Sequence, residues 1–163
     1  MLNTVYLLIG GNLGKREEML QTARGYLSSW LGQWLQGSAV YETEPWGPIP
    51  QPAYLNQAIA IATPYQPFQL LRICQHIEKL MGRQRQQPYG PRTMDIDILL
   101  FANQIINHPQ LQIPHPQMAN RRFVLQPLAD IAPHLVHPAF GLTIAQMLAQ
   151  CPDTLHVKKF SPM

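Results

Sequence analysis

The stretch Gly90-Pro91-Arg92-Thr93-Met94-Asp95-Ile96-Asp97-Ile98-Leu99-Leu100-Phe101 predicts a tight turn followed by a β-strand. Side chains alternate across a strand, so Asp95 and Asp97 lie on one face together with Thr93. The apolar side chains of the strand share the opposite face: Met94, Ile96, Ile98 and Leu100. We expect the apolar face to pack in a core and the acidic face to border a site.

The two carboxylates of this strand indicate a metal site. Lying about 7 Å apart on one face, they repel each other and resist burial unless cations lie between them. Magnesium takes oxygen ligands and is usually held by one or two carboxylates plus substrate phosphates. A solvated edge strand with two exposed acids is the commoner explanation of a lone Asp-x-Asp. The surrounding sequence has to decide between the two.

Composition favours a small-molecule protein. The chain has 163 residues, which predicts one domain over residues 1–163, and only 13% of them are charged. The net charge of +3 comes with scattered arginines and no Lys/Arg-rich run, zinc-finger spacing or RNA-recognition signature. That pattern favours a polyanionic small molecule over nucleic acid. The basic side chains concerned are Arg83, Arg85, Arg92, Arg121 and Arg122.

Cysteine content and hydropathy bear on the compartment. Cys74 and Cys151 have no paired spacing, and Cys74 lies on the apolar stripe of a predicted helix, which indicates a buried free thiol. No stretch reaches the ~20 apolar residues that a membrane span needs. We therefore expect a soluble cytoplasmic protein without a membrane partner, and a monomer.

The order of predicted elements is β-α-β-β-α-β. The strand at 4–9 ends in a glycine-rich turn at 10–14, which is either a weak phosphate-loop candidate or a plain strand-to-helix turn. The basic segment from Gly82 onward is either a mobile phosphate lid or a solvated loop. The other predicted elements are helices at 15–31 and 67–81, strands at 38–43, 54–63 and 95–101, and C-terminal helices at 120–128 and 143–151.

This order predicts an α+β, ferredoxin-like fold: an antiparallel sheet with both helices on one face, plus a C-terminal helical extension. The helices would cover the face of Leu55 and Ile96, leaving Tyr54, Asn56 and the two aspartates on an uncovered face. Small alanines follow Asn56 on that face. They either leave space for a flat heterocycle or allow tight packing against another element.

Eight blocks in order resemble the 6-hydroxymethyl-7,8-dihydropterin pyrophosphokinase family, which transfers pyrophosphate from ATP to a pterin alcohol. The most specific block is Gly-Pro-Arg-Thr-x-Asp-x-Asp at 90–97. The others are 10–14, Tyr41-Glu42-Thr43 with Gly47-Pro48, Tyr54-Leu55-Asn56, Gly82-Arg83, Pro114-His115-Pro116, and Arg121 through Pro127-Leu128.

The resemblance implies a role for each matching residue. Asp95 and Asp97 match the ligands of two Mg²⁺ ions that bridge the phosphates of ATP, and with Arg83 and Arg92 they form the expected catalytic set. The positions expected to bind the pterin are Thr43, Trp46, Gly47, Tyr54, Asn56, Phe123 and Arg121. The positions expected to bind ATP are Gln75, Glu78, Arg83, Arg85, Arg92, Ile98 and His115. The chain departs from the family pattern on the nucleotide side, at Gln110, Gln112 and Gln117.

The expected mechanism is in-line attack of the pterin hydroxymethyl oxygen on the β-phosphorus of ATP, with AMP leaving. Its rate would come from positioning and from cations, without a lone general base. Two alternatives stay open at this point. One is a non-catalytic ferredoxin-like module that binds a nucleotide or RNA, and the other is an ATP-dependent transferase acting on a non-pterin alcohol.

Overall fold

A computed structural model describes residues 1–45, 47–82 and 93–161. Its helices are α1 (Arg16–Trp30), α2 (Pro67–Leu80), α3 (Arg122–Ile131) and α4 (Ile144–Gln150), with a short 3-10 turn at Met118–Asn120. Its strands are β1 (Asn3–Gly11), β2 (Gln33–Gly37), β3 (Tyr41–Thr43), β4 (Tyr54–Thr63), β5 (Asp95–Phe101), β6 (Ile106–His108), β7 (Leu111–Ile113) and β8 (Val157–Lys159). No helix in these ranges is long and apolar enough to cross a bilayer.

Within the described residues, six strands form an antiparallel sheet in the order β5-β1-β4-β3-β8, and β2 also pairs with β4. Strands β6 and β7 form a separate hairpin. The predicted mixture of helices and antiparallel sheet is confirmed. The strand predicted at 38–43 is confirmed only over β3 at 41–43, and the chain makes a further strand, β2, before it; the two pair with different parts of β4.

The helices α1 and α2 pack on one face of the sheet, as predicted. Their buried stripes meet the apolar side chains of β1, β4 and β5 in one cluster, because apolar residues recur at helical spacing in both helices. Cys74 lies in this cluster and is buried and free, which confirms its expected state. The cluster includes Leu27, Ile77, Ile9, Ile59 and Ile96.

The opposite face of the sheet is not uncovered, which corrects the prediction. Helices α3 and α4 pack over it, with Leu125 and Ile144 in a second cluster that includes Leu8 and Ala58. Ala58 is fully buried there, so its small side chain serves close packing of α3 on β4 and does not line a pocket. The C-terminal helical extension therefore contributes to a second, smaller core cluster.

The alternation along β5 also differs from the prediction after Ile98. Leu7 pairs with Ile98 but Tyr6 pairs with Leu100, so Leu99 is an extra residue in β5. A β-bulge of this kind reverses the facing of every later side chain. As a result Leu100 packs in the α3/α4 cluster and Phe101 in the α1/α2 cluster. The two aspartates precede the bulge and keep their predicted face.

Candidate active site

The strand predicted to bind metal, β5, is an edge strand of the sheet. Asp95 and Asp97 are both half-buried and alternate with the buried Ile96 and Ile98. Asp95 pairs with Gly10, and Asp97 pairs with Leu8, whose side chain belongs to the α3/α4 cluster. Both carboxylates therefore lie on the α3/α4 face, at the end where β5 begins and β1 finishes.

A row of paired residues crosses the sheet from the metal strand to β3. Asp95 pairs with Gly10, Gly10 with Asn56, and Asn56 with Tyr41. Neighbouring strands lie ~4.8 Å apart, so Asp95 and Asn56 are separated by about 10 Å with a residue lacking a side chain between them. The structure thus brings together the carboxylates and the amide that the sequence placed on different strands.

The Asn56 amide is held from the side of β3. It is 5% exposed, and its Nδ2 donates a hydrogen bond to Thr43 Oγ1 at 3.2 Å; Thr43 is 3% exposed. Tyr54, two residues before Asn56 on the same face of β4, is half-buried and pairs with Thr43. Gly47 lies in the proline-rich loop between these strands, at a positive φ of 100° that favours glycine.

Phe123 and Arg121 lie at the start of α3. Because α3 packs on β4, Phe123 is on the same face of the sheet as Tyr54 and Asn56. The Arg121 guanidinium lies 5.7 Å from the centre of the Phe123 ring, which is a cation–π contact. One aromatic ring and one cation therefore border the α3/α4 face where the two aspartates lie.

Among the described residues expected to bind ATP, Glu78, Ile98 and His115 lie along the outer edge of β5. Glu78 of α2 is 6% exposed, and its Oε2 accepts a hydrogen bond of 2.8 Å from the backbone N–H of Ile96. On the same edge the backbone N–H of His115 donates to Leu99 O at 2.9 Å. Gln75, one turn before Glu78, is exposed. The Ile98 side chain is buried in the α1/α2 cluster, so only its backbone can meet a ligand.

Two pKa shifts report the local electrostatics. Burial, and then the charge of Arg121, lower the pKa of His115 to about 4, so its imidazole is neutral at physiological pH. The Nδ1 atom of His115 accepts a hydrogen bond from the backbone N–H of Gln117. Burial raises the pKa of the Cys74 thiol, followed by the charges of Glu78 and Asp97. Both effects indicate a poorly hydrated region beside β5.

The aspartate pair fits a magnesium ion. Its donors are carboxylate oxygens, the hard ligands that Mg²⁺ prefers, on a half-buried strand face. In the described part of the chain no group of three or more His, Cys, Asp or Glu side chains could hold a metal. A cation bound here would complete its shell with water or phosphate oxygens, which is the usual habit of Mg²⁺ and not of Zn²⁺.

Four expected site residues lie outside the described residues: Trp46, Arg83, Arg85 and Arg92. The phosphate-lid hypothesis for the segment after Gly82 falls in the same range.

A family comparison adds to this geometry. The sequence model of the 7,8-dihydro-6-hydroxymethylpterin-pyrophosphokinase (HPPK) family matches residues 6–133. The chain belongs to the HPPK family. The match spans the aspartate strand, Asn56, His115 and Phe123, and it ends before α4 and β8.

Curated and solved relatives agree with this membership. The 2-amino-4-hydroxy-6-hydroxymethyldihydropteridine pyrophosphokinase of Pseudomonas aeruginosa is 40% identical over 153 residues, 93% of this chain and 94% of its own. That of Bacillus subtilis is 44% identical over 132 residues, 80% of this chain and 79% of its own. A crystal structure of Plasmodium falciparum HPPK-DHPS with pteroate superposes with a TM-score of 0.76 at 17% identity, covering 92% of this chain but 42% of that one. It supports the HPPK fold.

Sequence reasoning missed the residues that fasten the proline-rich loop between β3 and β4. Asn12, 3% exposed, donates through its amide to Gln51 Oε1 at 2.9 Å and to Pro52 O at 2.8 Å. Arg16 donates to Ala53 O at 2.9 Å and forms an ion pair with Glu42 at 2.8 Å. The only feature of the sequence that pointed to these contacts is the polar residue Asn12 within the glycine-rich turn at 10–14. Its partners lie about forty residues away, which no local pattern shows.

Proposed function

We propose that the α3/α4 face at the start of β5 is the active site for transfer of pyrophosphate from ATP to the hydroxymethyl group of 6-hydroxymethyl-7,8-dihydropterin, giving AMP and the pterin diphosphate. The chain is a pyrophosphokinase of the folate pathway by its family and relatives. One observation carries the assignment of the site. The row Asp95, Gly10, Asn56 sets the backbone of Asp95, the proposed metal ligand, about 10 Å from the backbone of Asn56, whose side chain is buried.

That separation suits the reaction. A pterin held at Asn56 and a phosphate held at Asp95 would meet beside Gly10, over which the Asn56 amide itself lies. Positioning two reactants in line supplies a large share of the rate in phosphoryl transfer, since little covalent chemistry falls to the protein. Neither Asp95 nor Asp97 has to act as a general base in this arrangement.

Asp95 and Asp97 would hold two Mg²⁺ ions together with the phosphates of ATP. When bound, these ions would neutralise developing charge on the phosphates and lower the pKa of the attacking hydroxyl. The contribution of the strand is to hold both carboxylates on one face. Ile96 between them is anchored on two sides, by its pairing with Ile9 and by the carboxylate of Glu78.

On the nucleotide side, we assign ATP to the outer edge of β5. In an antiparallel edge strand, alternate residues direct backbone N–H and C=O groups outward. Because the Ile96 N–H points outward to Glu78, the backbone of Ile98 is directed to the same edge. A purine could pair with those backbone groups between Gln75 and His115. Arg83, Arg85 and Arg92 stay predicted phosphate ligands of this side.

On the pterin side, we assign the heterocycle to the wall formed by β3, β4 and the start of α3. The Asn56 amide and the Thr43 hydroxyl offer a donor and acceptor pattern to the edge of a pterin. Tyr54 and Phe123 would stack on its faces. Trp46, Gly47 and Arg121 stay predicted members of this wall.

We also propose that the core of the sheet is ferredoxin-like, elaborated by β2, β8 and the C-terminal helices. The pairing order β5-β1-β4-β3 supports this description, with α1 and α2 on one face. The chain would act as a single domain and a monomer. The alternative of a non-catalytic nucleotide- or RNA-binding module is not supported, since the family and its named relatives are pyrophosphokinases.

The decisive experiment identifies the nucleotide product. Purified protein is incubated with ATP, Mg²⁺ and 6-hydroxymethyl-7,8-dihydropterin, and AMP and ADP are separated by chromatography. We expect AMP in equal amount to the pterin diphosphate. The matched acceptor is the same dihydropterin without its hydroxymethyl group, which should yield neither product. Formation of ADP, or equal AMP with both acceptors, would contradict pyrophosphate transfer to the pterin alcohol.

A further inference from the structure

Gly10 occupies the point where the two proposed sides of the site meet, whereas its sequence context predicts a turn that is either a weak phosphate loop or a plain strand-to-helix connection. Gly10 belongs to β1, because the strand continues through Gly11. The chain therefore leaves the strand two residues later than the predicted turn at 10–14. Within β1, Gly10 is paired with Asn56 on one side and Asp95 on the other. Its lack of a side chain therefore needs an explanation other than a chain reversal.

The explanation lies in the Asn56 side chain. A Cβ atom added at Gly10 would collide with Asn56 Oδ1 and would lie 2.9 Å from Asn56 Cγ, closer than real Cβ contacts. The carbonyl end of the amide thus occupies the space where a side chain of residue 10 would be. The other end of the amide donates to Thr43 Oγ1 on the opposite strand. Asn56 consequently spans from β3 to β1, and it can do so only above a glycine.

We propose that Gly10 is a positioning residue for the pterin subsite: by leaving its Cβ position vacant, it lets the Asn56 amide lie across β1 toward Asp95. An alanine at position 10 would push the amide away from β1 while leaving Asp95, Glu78 and His115 where they are. The defect should then fall on the pterin and not on ATP. This inference rests on the proposed function, because it assumes that Asn56 binds the pterin.

A second contact of the missing Cβ makes the test more demanding. The same atom would lie 2.7 Å from Leu55 O, a backbone atom of β4 that cannot move as easily as an amide side chain. Gly10→Ala will therefore lower stability as well as displace Asn56. A double-mutant cycle with Asn56→Ala separates the two effects, because truncating Asn56 removes one collision and leaves the other.

The matched control is Gly37→Ala in β2. A Cβ there would lie 2.7 Å from Trp34 Cζ2 and 3.1 Å from Gln57 Nε2, which is milder crowding, against side chains only, in the same sheet. Neither Trp34 nor Gln57 belongs to the proposed site. We expect Gly37→Ala to lower the midpoint of thermal unfolding without changing the dissociation constant of the pterin relative to that of ATP.

The experiment measures the dissociation constants of the pterin and of a non-hydrolysable ATP analogue with Mg²⁺, and the two Michaelis constants, for the wild type, G10A, N56A and G10A/N56A. We expect G10A to weaken pterin binding at least tenfold and ATP binding less than twofold. Adding G10A to N56A should change pterin binding less than twofold. An effect of G10A that persists in the N56A background would overturn the proposal, as would an equal loss of both ligands.

Three further outcomes are informative. If G10A alone does not fold, pterin binding by G10A/N56A and by N56A still tests the proposal. If the double variant also fails to fold, the collision with Leu55 O explains the need for glycine at position 10, and the proposal is overturned. If the wild type itself forms no pterin diphosphate, the proposed function fails. If the wild type is active and the cycle is additive, only the role of Gly10 fails.

Discussion

The proposed nucleotide side and the proposed pterin side of the site are built in different ways. The edge of β5 is held by contacts to its own backbone, from Glu78 to Ile96 N–H and from His115 N–H to Leu99 O. The pterin side is held by side chains from segments far apart in sequence. Asn12 fastens Gln51 and Pro52, and Arg16 fastens Ala53, at separations of 37 to 40 residues.

This difference teaches where each side is vulnerable. Backbone groups of an edge strand survive most substitutions, because every residue except proline offers the same N–H and C=O. A binding surface that side chains from distant segments hold in place is disrupted when one of those side chains is removed. We therefore expect substitutions far from the site to impair pterin binding more often than ATP binding.

The largest effect is expected at the shared centre, where both sides depend on the same carboxylates. Asp97→Ala and Asp95→Ala should each reduce turnover by several orders of magnitude. The fold should survive, because removing one carboxylate also relieves like-charge repulsion. Steady-state kinetics and thermal unfolding check this, with Glu17→Ala on the exposed surface of α1 as the control. Retention of more than about a tenth of the rate, a loss of only ~1.4 kcal/mol, would contradict the metal assignment.

A second effect concerns pH and separates the nucleotide edge from the rest. The pKa of His115 is about 4 in the folded chain and 6.5 ordinarily. The contribution of the neutral His115 side chain to the free energy of unfolding is therefore fully present above pH 6.5. It is lost as the pH falls toward 4, by at most about 3 kcal/mol. His115→Gln should flatten the pH dependence of the free energy of unfolding between pH 4 and 6.5, measured by urea titration.

Two comparisons make the His115 test specific. The exposed His134→Gln is the control and should keep the wild-type slope. Burial also lowers the pKa of His137, so the difference between variants, and not the wild-type slope alone, measures His115. The dissociation constant of ATP should show no imidazole titration between pH 6 and 8. Equal slopes in the two variants would show that His115 is not buried as described.

The third effect tests the aromatic pair of the pterin side. Phe123→Ala and Tyr54→Ala should each weaken pterin binding about tenfold or more, since stacking contributes roughly 0.5 to 1.5 kcal/mol beyond the burial of area. ATP binding should change much less. Calorimetry with each ligand alone measures both, and Phe68→Ala, a partly exposed aromatic that contacts His108, is the control. Equal loss of the two ligands would assign both rings to the core.

The smallest effect is expected from the C-terminal strand, which lies beyond the family match. Strand β8 pairs with β3, Thr43 opposite Val157, and Phe160 packs under the Arg16 guanidinium at 5.7 Å. Deleting residues 157–163 should weaken pterin binding a few-fold, below ~1.4 kcal/mol, and leave ATP binding unchanged. Deletion of 161–163 alone keeps β8 and is the control. A change in ATP binding alone would contradict the expectation that β8 supports the pterin side of the site.

The sequence by itself determined the local elements and the chemistry of the centre. The period of apolar residues predicted α1, α2 and β5, and the Asp-x-Asp motif predicted an acidic face outside the core, because both signals arise within one segment. Family membership followed from motifs of the same local kind, and it carried the function. Glu78 was singled out, but its bond to the Ile96 N–H was not foreseen.

Tertiary structure decided what joins these segments. The bulge at Leu99 turned Leu100 to the other face, and α3 and α4 covered the face that was expected to be open. Both outcomes depend on how β1 and β4 meet partners distant in sequence, whose register no single segment encodes. Gly10 illustrates the limit: its sequence context indicates a turn, but its place between Asn56 and Asp95 exists only once three strands have paired.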